Sequence, residues 1–132
     1  MEYRATQKFL LMSPKKIRFV VRAIKGMKPT DAVERLPYVS KRSAEPLAKV
    51  IKAAIANAKM QGAKEDDLIF KEIQIGEGPR LKRGRPRSRG LFHPYKKRMS
   101  HIRVVLTVKE KEVKKEEKKE EAKKGGKNGT KN

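Results

Sequence analysis

The chain has 132 residues, with 36 Lys or Arg against 15 Asp or Glu, a formal net charge of +21 and no cysteine. That length accommodates one domain, and the missing cysteines exclude disulfides and thiolate metal sites. No apolar run approaches the ~18 residues that a membrane helix needs, and the N-terminus, with one short apolar patch at residues 9–12, lacks a signal-peptide layout; a soluble chain that is not exported is expected.

The positive excess is concentrated. Residues 1–28 carry +7, 29–78 are neutral, 79–108 carry +10 and 109–132 carry +4. A neutral middle flanked by cationic regions is the electrostatic footprint of a nucleic-acid binder.

In chain order, residues 3–9 (YRATQKF) alternate loosely and predict a short edge strand. Ser13 as N-cap, Pro14 at the first helical position and Gly26 just past the end delimit a first helix. Ile17, Val20, Val21 and Ile24 recur on one face of it, while Lys15, Lys16, Arg18, Arg22 and Lys25 lie mainly off that face. A second short helix is expected to begin at Thr30 and to stop by Leu36, because Pro37 disfavours helix in the residue before it. The third helix, capped by Ser40 or Ser43 and ended by Gly62, carries an apolar stripe of Leu47, Val50, Ile51, Ala54, Ile55 and Ala58. Asn57 beside that stripe reads as a buried amide bonded to backbone rather than a site residue.

Residues 63–67 read as a loop, 68–75 (LIFKEIQI) as a strand, and 101–109 (HIRVVLTVK) as a second strand. Between them, 79–103 hold ten Lys or Arg and no acid. No core accepts such a run unpaired, so two strands flanking it predict a long hairpin: a paired base and an extended basic arm, about 79–101. Its cations are mostly Arg, the side chain that binds phosphate bidentately and stacks on bases. Arg80, Lys82, Arg83, Arg85, Arg87, Arg89, Lys96, Lys97 and Arg98 are the candidate RNA contacts. Phe92, His93 and Tyr95 either stack on unpaired bases or form a small aromatic plug that stiffens the arm. Residues 110–132 are a Lys/Glu-rich segment whose KKEEKKEE blocks place like charges four apart, which opposes helix; a disordered tail beyond a single domain at 1–109 is expected.

Catalysis finds little support. Only two histidines occur, His93 and His101, the latter reading as a structural hydrogen-bonding residue, and Glu65, Asp66 and Asp67 read as a solvated loop. RGRPRSRG is not a nucleotide-binding fingerprint. Neither enzymatic activity, nor a cofactor, nor a metal is expected. An architectural DNA-binding protein is the alternative that uses the same cations.

SPKKIRFVVRAIKG, AIANA (54–58), EGPRLKRGRPRSRG and KKRMSHIRVVL together resemble the universal large-subunit ribosomal protein L-twenty-two family of bacterial type, collinearly over about 4–108. The spacing of Arg87–Gly90 from the Ser100–Ile102 strand start is its most specific part. The resemblance implies an α+β fold: three helices on a small antiparallel three-stranded sheet, with a long protruding β-hairpin. It implies a cytoplasmic, ribosome-bound structural protein that binds large-subunit ribosomal RNA and supports assembly. Its hairpin tip would line the peptide exit tunnel beside a loop of a second ribosomal protein, with the nascent peptide passing the tip, and neither a membrane nor a homo-oligomer is implied. Carried over, Lys82, Arg83, Arg85, Arg87 and Arg89 fall towards the tip, Lys96, Lys97 and Arg98 on the returning strand, and Lys15, Lys16, Arg18 and Arg22 on the body. After Gly90, where the family usually has a basic or polar residue, this chain has Leu91 and then FHPY.

Overall fold

A computed structural model describes residues 1–108; the expected tail at 110–132 lies outside them. The described elements run β1 (Glu2–Leu10), α1 (Pro14–Ile24), α2 (Pro29–Arg35), α3 (Ala44–Met60), β2 (Leu68–Pro86) and β3 (Phe92–Val108), with short 3-10 turns at Leu36–Tyr38, Glu65–Asp67 and Ser88–Gly90. The fold is α+β. The three strands form one antiparallel sheet in the order β1-β3-β2, so β3 is central and β1 is an edge strand as expected.

The helices cover one face of the sheet. Ile17, Val20 and Ile24 of α1 and Leu47, Val50, Ile51, Ala54, Ile55 and Ala58 of α3 are all buried, against Tyr3, Ala5, Leu68, Ile102, Val104 and Leu106 from the strands. Each fully buried Ile or Leu contributes about 1.5–3 kcal/mol relative to exposure. The alanines of α3 let its axis lie close over β1 and β3, the strands it packs on most heavily.

Several boundaries differ from the sequence reading for local reasons. α2 starts at Pro29 rather than Thr30, since proline at the first helical position needs no N–H partner. Neither Ser13 nor Ser43 caps its helix through the side chain. Ser43 is buried, and its hydroxyl donates instead to the Lys16 carbonyl of α1 at 3.2 Å, fastening α3 to α1. Asn57 is exposed rather than buried, yet it does bond backbone, its Nδ2 donating to the Arg4 carbonyl of β1 at 3.0 Å.

β2 does not stop at Ile75. It runs through Gly76 and Gly78 to Pro86, because a bulge absorbs the irregularity: Glu77 pairs with Ser100 and Arg80 with Arg98, leaving Gly78 and Pro79 opposite Met99 alone. A Cβ on Gly78 would lie 3.0 Å from the Met99 backbone carbon, a contact tight enough that Met99 would have to give way, so glycine suits this close approach. β1 has a matching slip, where Gln7 pairs with Ile102 and Leu10 with Ser100, leaving Lys8 and Phe9 opposite His101. Continued alternation from Tyr3 and Ala5 would send Phe9 into the core. The bulge turns it out with φ 55°, and Leu10 takes the inward position. A left-handed aromatic residue stores roughly 1–3 kcal/mol of strain.

Candidate nucleic-acid interface

The arm is paired over its whole length, from Arg80↔Arg98 to Pro86↔Phe92, rather than only at its base. Seven residues at ~3.3 Å each carry it roughly 23 Å beyond the bulge. The turn is closed by the Arg87 N–H on the Leu91 carbonyl at 2.7 Å, with Arg89 and Gly90 both left-handed at φ 57° and 69°. Arg87 and Arg89 therefore sit at the tip, and both are exposed.

Register sorts the arm residues onto two faces, because directly opposed residues share a side. One face carries Arg80 opposite Arg98, Lys82 opposite Lys96, Gly84 opposite Pro94 and Pro86 opposite Phe92. The other carries Leu81 opposite Lys97, Arg83 opposite Tyr95 and Arg85 opposite His93. The Arg80–Arg98 and Lys82–Lys96 pairs set like charges against each other, a destabilising arrangement unless an anion lies between or over them. All of these cations are exposed.

Two of the three arm aromatics are engaged within the arm. The Phe92 ring lies over Gly84 so closely that a Cβ there would fall 1.7 Å from its Cζ. The Arg85 guanidinium carbon stands 5.2 Å from the Tyr95 ring centre, a cation–π contact. Both contacts tie the tip strands together, as a plug does, while Phe92 stays largely open to solvent and His93 is exposed.

The first helix and the returning strand meet in a groove of about 1080 Å³. Its wall holds Lys15 and Lys16 from α1, Lys41 and Arg42 from the turn before α3, and Lys96, Lys97 and Arg98 from β3, with Leu11, Met12 and Phe19 as apolar floor. Seven cations line it and no carboxylate does. Lys41 and Arg42 escaped the sequence reading, because they sit in the electrically neutral middle of the chain. The Ser43–Lys16 hydrogen bond and the packing of α3 on α1 bring that turn to the first helix.

Arg18 and Arg22 are exposed on α1 but do not line the groove. Arg18 donates from Nη2 to the Ile75 carbonyl at 2.9 Å, which braces α1 against β2 at the root of the arm. Glu77 stands at the same root. The hydrogen bond from Arg80 (3.0 Å) and the Arg80 charge hold its carboxyl below the usual range, with lesser help from Arg98 and Arg18. It is the last acid before the arm, and it is already occupied.

Residues 5–107 match the family model described as Ribosomal protein L22p/L17e. The chain belongs to this family. It is 46% identical over 110 residues to the large ribosomal subunit protein uL22 of Syntrophus aciditrophicus, covering 83% of this chain and all of that one. It is 44% identical to the protein of that name from Desulfatibacillum aliphaticivorans, covering 80% of this chain and 98% of that one. The identity is 42% with its counterpart from Deinococcus radiodurans, over 80% of this chain and 79% of that one. As a family member the chain is a structural, non-enzymatic constituent of the large ribosomal subunit. No helix among the described residues is long and apolar enough to cross a membrane.

Proposed function

We propose that the chain binds large-subunit ribosomal RNA through one continuous cationic surface, formed by the α1–β3 groove and the arm, and thereby supports subunit assembly. The tip at Arg87–Leu91 lines the peptide exit tunnel, next to a second ribosomal protein at its constriction and in the path of the nascent peptide. The observation that carries this reading is the acid-free groove, in which seven cations from three separate elements converge and lead onto the arm. Folding gathers like charges there against their mutual repulsion, a cost that a bound polyanion relieves. The mechanism is phosphate neutralisation and shape recognition by a pre-formed, paired arm, with no bond made or broken.

The test is equilibrium binding to large-subunit ribosomal RNA across a salt series. Six to ten neutralised phosphates predict a loss of about 10³–10⁵ in affinity between 50 and 200 mM salt. An affinity that stays flat refutes the mechanism, and parity with duplex DNA of equal charge in competition refutes the RNA preference. Replacing Lys41 and Arg42 together by Ala should shift the salt slope as much as replacing Lys15 and Lys16, if the groove is one site.

A further inference from the structure

We propose that the sheet face opposite the helices carries a second RNA contact, in which an unpaired base stacks on Phe9 while Lys8 and Arg103 take its flanking phosphates. This rests on the ribosomal-RNA reading above but concerns a different surface, separated from the groove by the sheet itself.

Phe9 is 60% exposed and left-handed, although continued alternation from Tyr3, Ala5 and Gln7 would have turned it inward. The β1 bulge that expels it is built and held. The Phe9 N–H donates to Nδ1 of His101 at 3.0 Å, and the two rings meet nearly edge to face, 5.0 Å apart at 83°. A bulge that re-aims a side chain next to a binding site is a recurrent device, and strain of this kind concentrates at functional positions. The histidine thus fixes the ring's orientation and leaves the phenylalanine open to solvent.

The surroundings select the occupant. The groove beside Phe9 is lined by Thr6, Lys8, Gln74, His101 and Arg103 and by no carboxylate. Its two cations suit phosphate, and the Thr6 hydroxyl suits a base edge. The acids of this face, Glu2 and Glu72, belong further along the strands and are engaged by Lys71 and Arg4 and by Gln74 respectively. An exposed aromatic on a sheet with flanking cations is how single-stranded RNA is stacked. A purely apolar protein partner would leave Lys8 and Arg103 facing nothing.

The experiment measures full-chain binding to large-subunit ribosomal RNA for wild type, Phe9→Gly, Phe9→Leu and Phe9→Tyr over a salt series. Phe9→Gly accepts the positive φ, so its melting temperature should not fall, yet its affinity should drop roughly 5- to 150-fold, the range for losing one base–aromatic stack. Phe9→Leu keeps the bulk without the π-face and should lose affinity likewise, while Phe9→Tyr should bind as wild type. Because no phosphate contact is removed, the salt slope should be the same in all four. Wild-type affinity in Phe9→Gly or Phe9→Leu overturns the proposal. Failure of the wild type to bind the RNA at all overturns instead the reading on which it rests. In reconstituted subunits, a photoreactive phenylalanine at position 9 should crosslink to RNA; crosslinks only to a neighbouring protein would make the occupant a protein and overturn the RNA contact.

Discussion

Replacing Lys96 by Glu separates what the arm does for the fold from what it does for RNA. Lys96 faces Lys82 across the ladder and also lines the α1–β3 groove. For two ammonium groups about 6 Å apart in water, Coulomb's law gives about 0.7 kcal/mol of repulsion. Screening at 0.15 M salt leaves about 0.3 kcal/mol. Lys96→Glu turns that into attraction of similar size, a swing of about 0.6 kcal/mol, within the range of cross-strand pairs. The free arm should therefore open about threefold less often. Hydrogen exchange reads this directly: amides of 80–86 and 92–98 should slow by that factor, while those of 102–106 and 47–58, in the core, should stay slow and unchanged.

Binding should move the other way. Loss of one phosphate contact makes the salt slope shallower by about 0.7–0.9, which at 0.1 M salt amounts to about sixfold in affinity before the added repulsion of the glutamate. A more protected arm that binds RNA more weakly is the signature of a surface shaped for its anion at the expense of its own stability. If Lys96→Glu left affinity and slope intact, the groove would not be the RNA site. If it left exchange of the arm unchanged, the opposed cations would not be working against each other.

Three further outcomes follow from single positions. Ser100 is fully buried and its hydroxyl has no hydrogen-bond partner among the described residues, so Ser100→Ala should raise stability by about 1 kcal/mol, some 4–8 °C in melting temperature; a drop would contradict this. Hydrogen bonds from Lys71 and Arg4 lower the Glu2 carboxyl from 4.5 to about 2, and Glu45 and Glu77 are lowered by Lys49 and Arg80. Depressed carboxylates stabilise the fold above their unfolded pKa and lose that contribution as the pH falls through the folded one. The melting temperature should thus decline from about pH 5 towards pH 2, less steeply in Glu2→Gln than in wild type. Gly90→Ala puts a second side-chain-bearing residue in the left-handed region beside Arg89, at a cost of about 1–2 kcal/mol; faster exchange confined to the tip would show it, whereas a global loss of stability would not fit.

Patterned residues made much of this legible. The stripe from Leu47 to Ala58 and the face of Ile17, Val20 and Ile24 lie in the core because helical spacing leaves them no other place. Length and charge marked the arm, since ten cations with no acid among them have only an exterior solution. What stayed hidden depends on register and on tertiary fastening. Lys41 and Arg42 carry no local signal, and become site residues through tertiary packing of α3 on α1, fastened by a serine that bonds a carbonyl 27 positions away. Asn57 was legible in its chemistry but not in its burial, because a long helix flank and a strand edge can meet at the surface.

The two bulges at the root of the arm show why it was the least readable part. On the central strand nothing is irregular: Arg98, Ser100, Ile102, Val104 and Leu106 keep strict alternation on one face. Both edge strands slip by one residue against the same three-residue stretch, β2 opposite Met99 and β1 opposite His101, on either side of Ser100. A slip of one residue reverses which side chains face inward. On β2 it occurs where the apolar sequence ends, so that Arg80 and Lys82 continue the helix-side face and meet Arg98 and Lys96 there. On β1 it exposes Phe9. The place where the body becomes the arm is thus where both edges change phase. Each change delivers a side chain to a surface that simple alternation would have denied it: cations to the groove side, an aromatic ring to the open side.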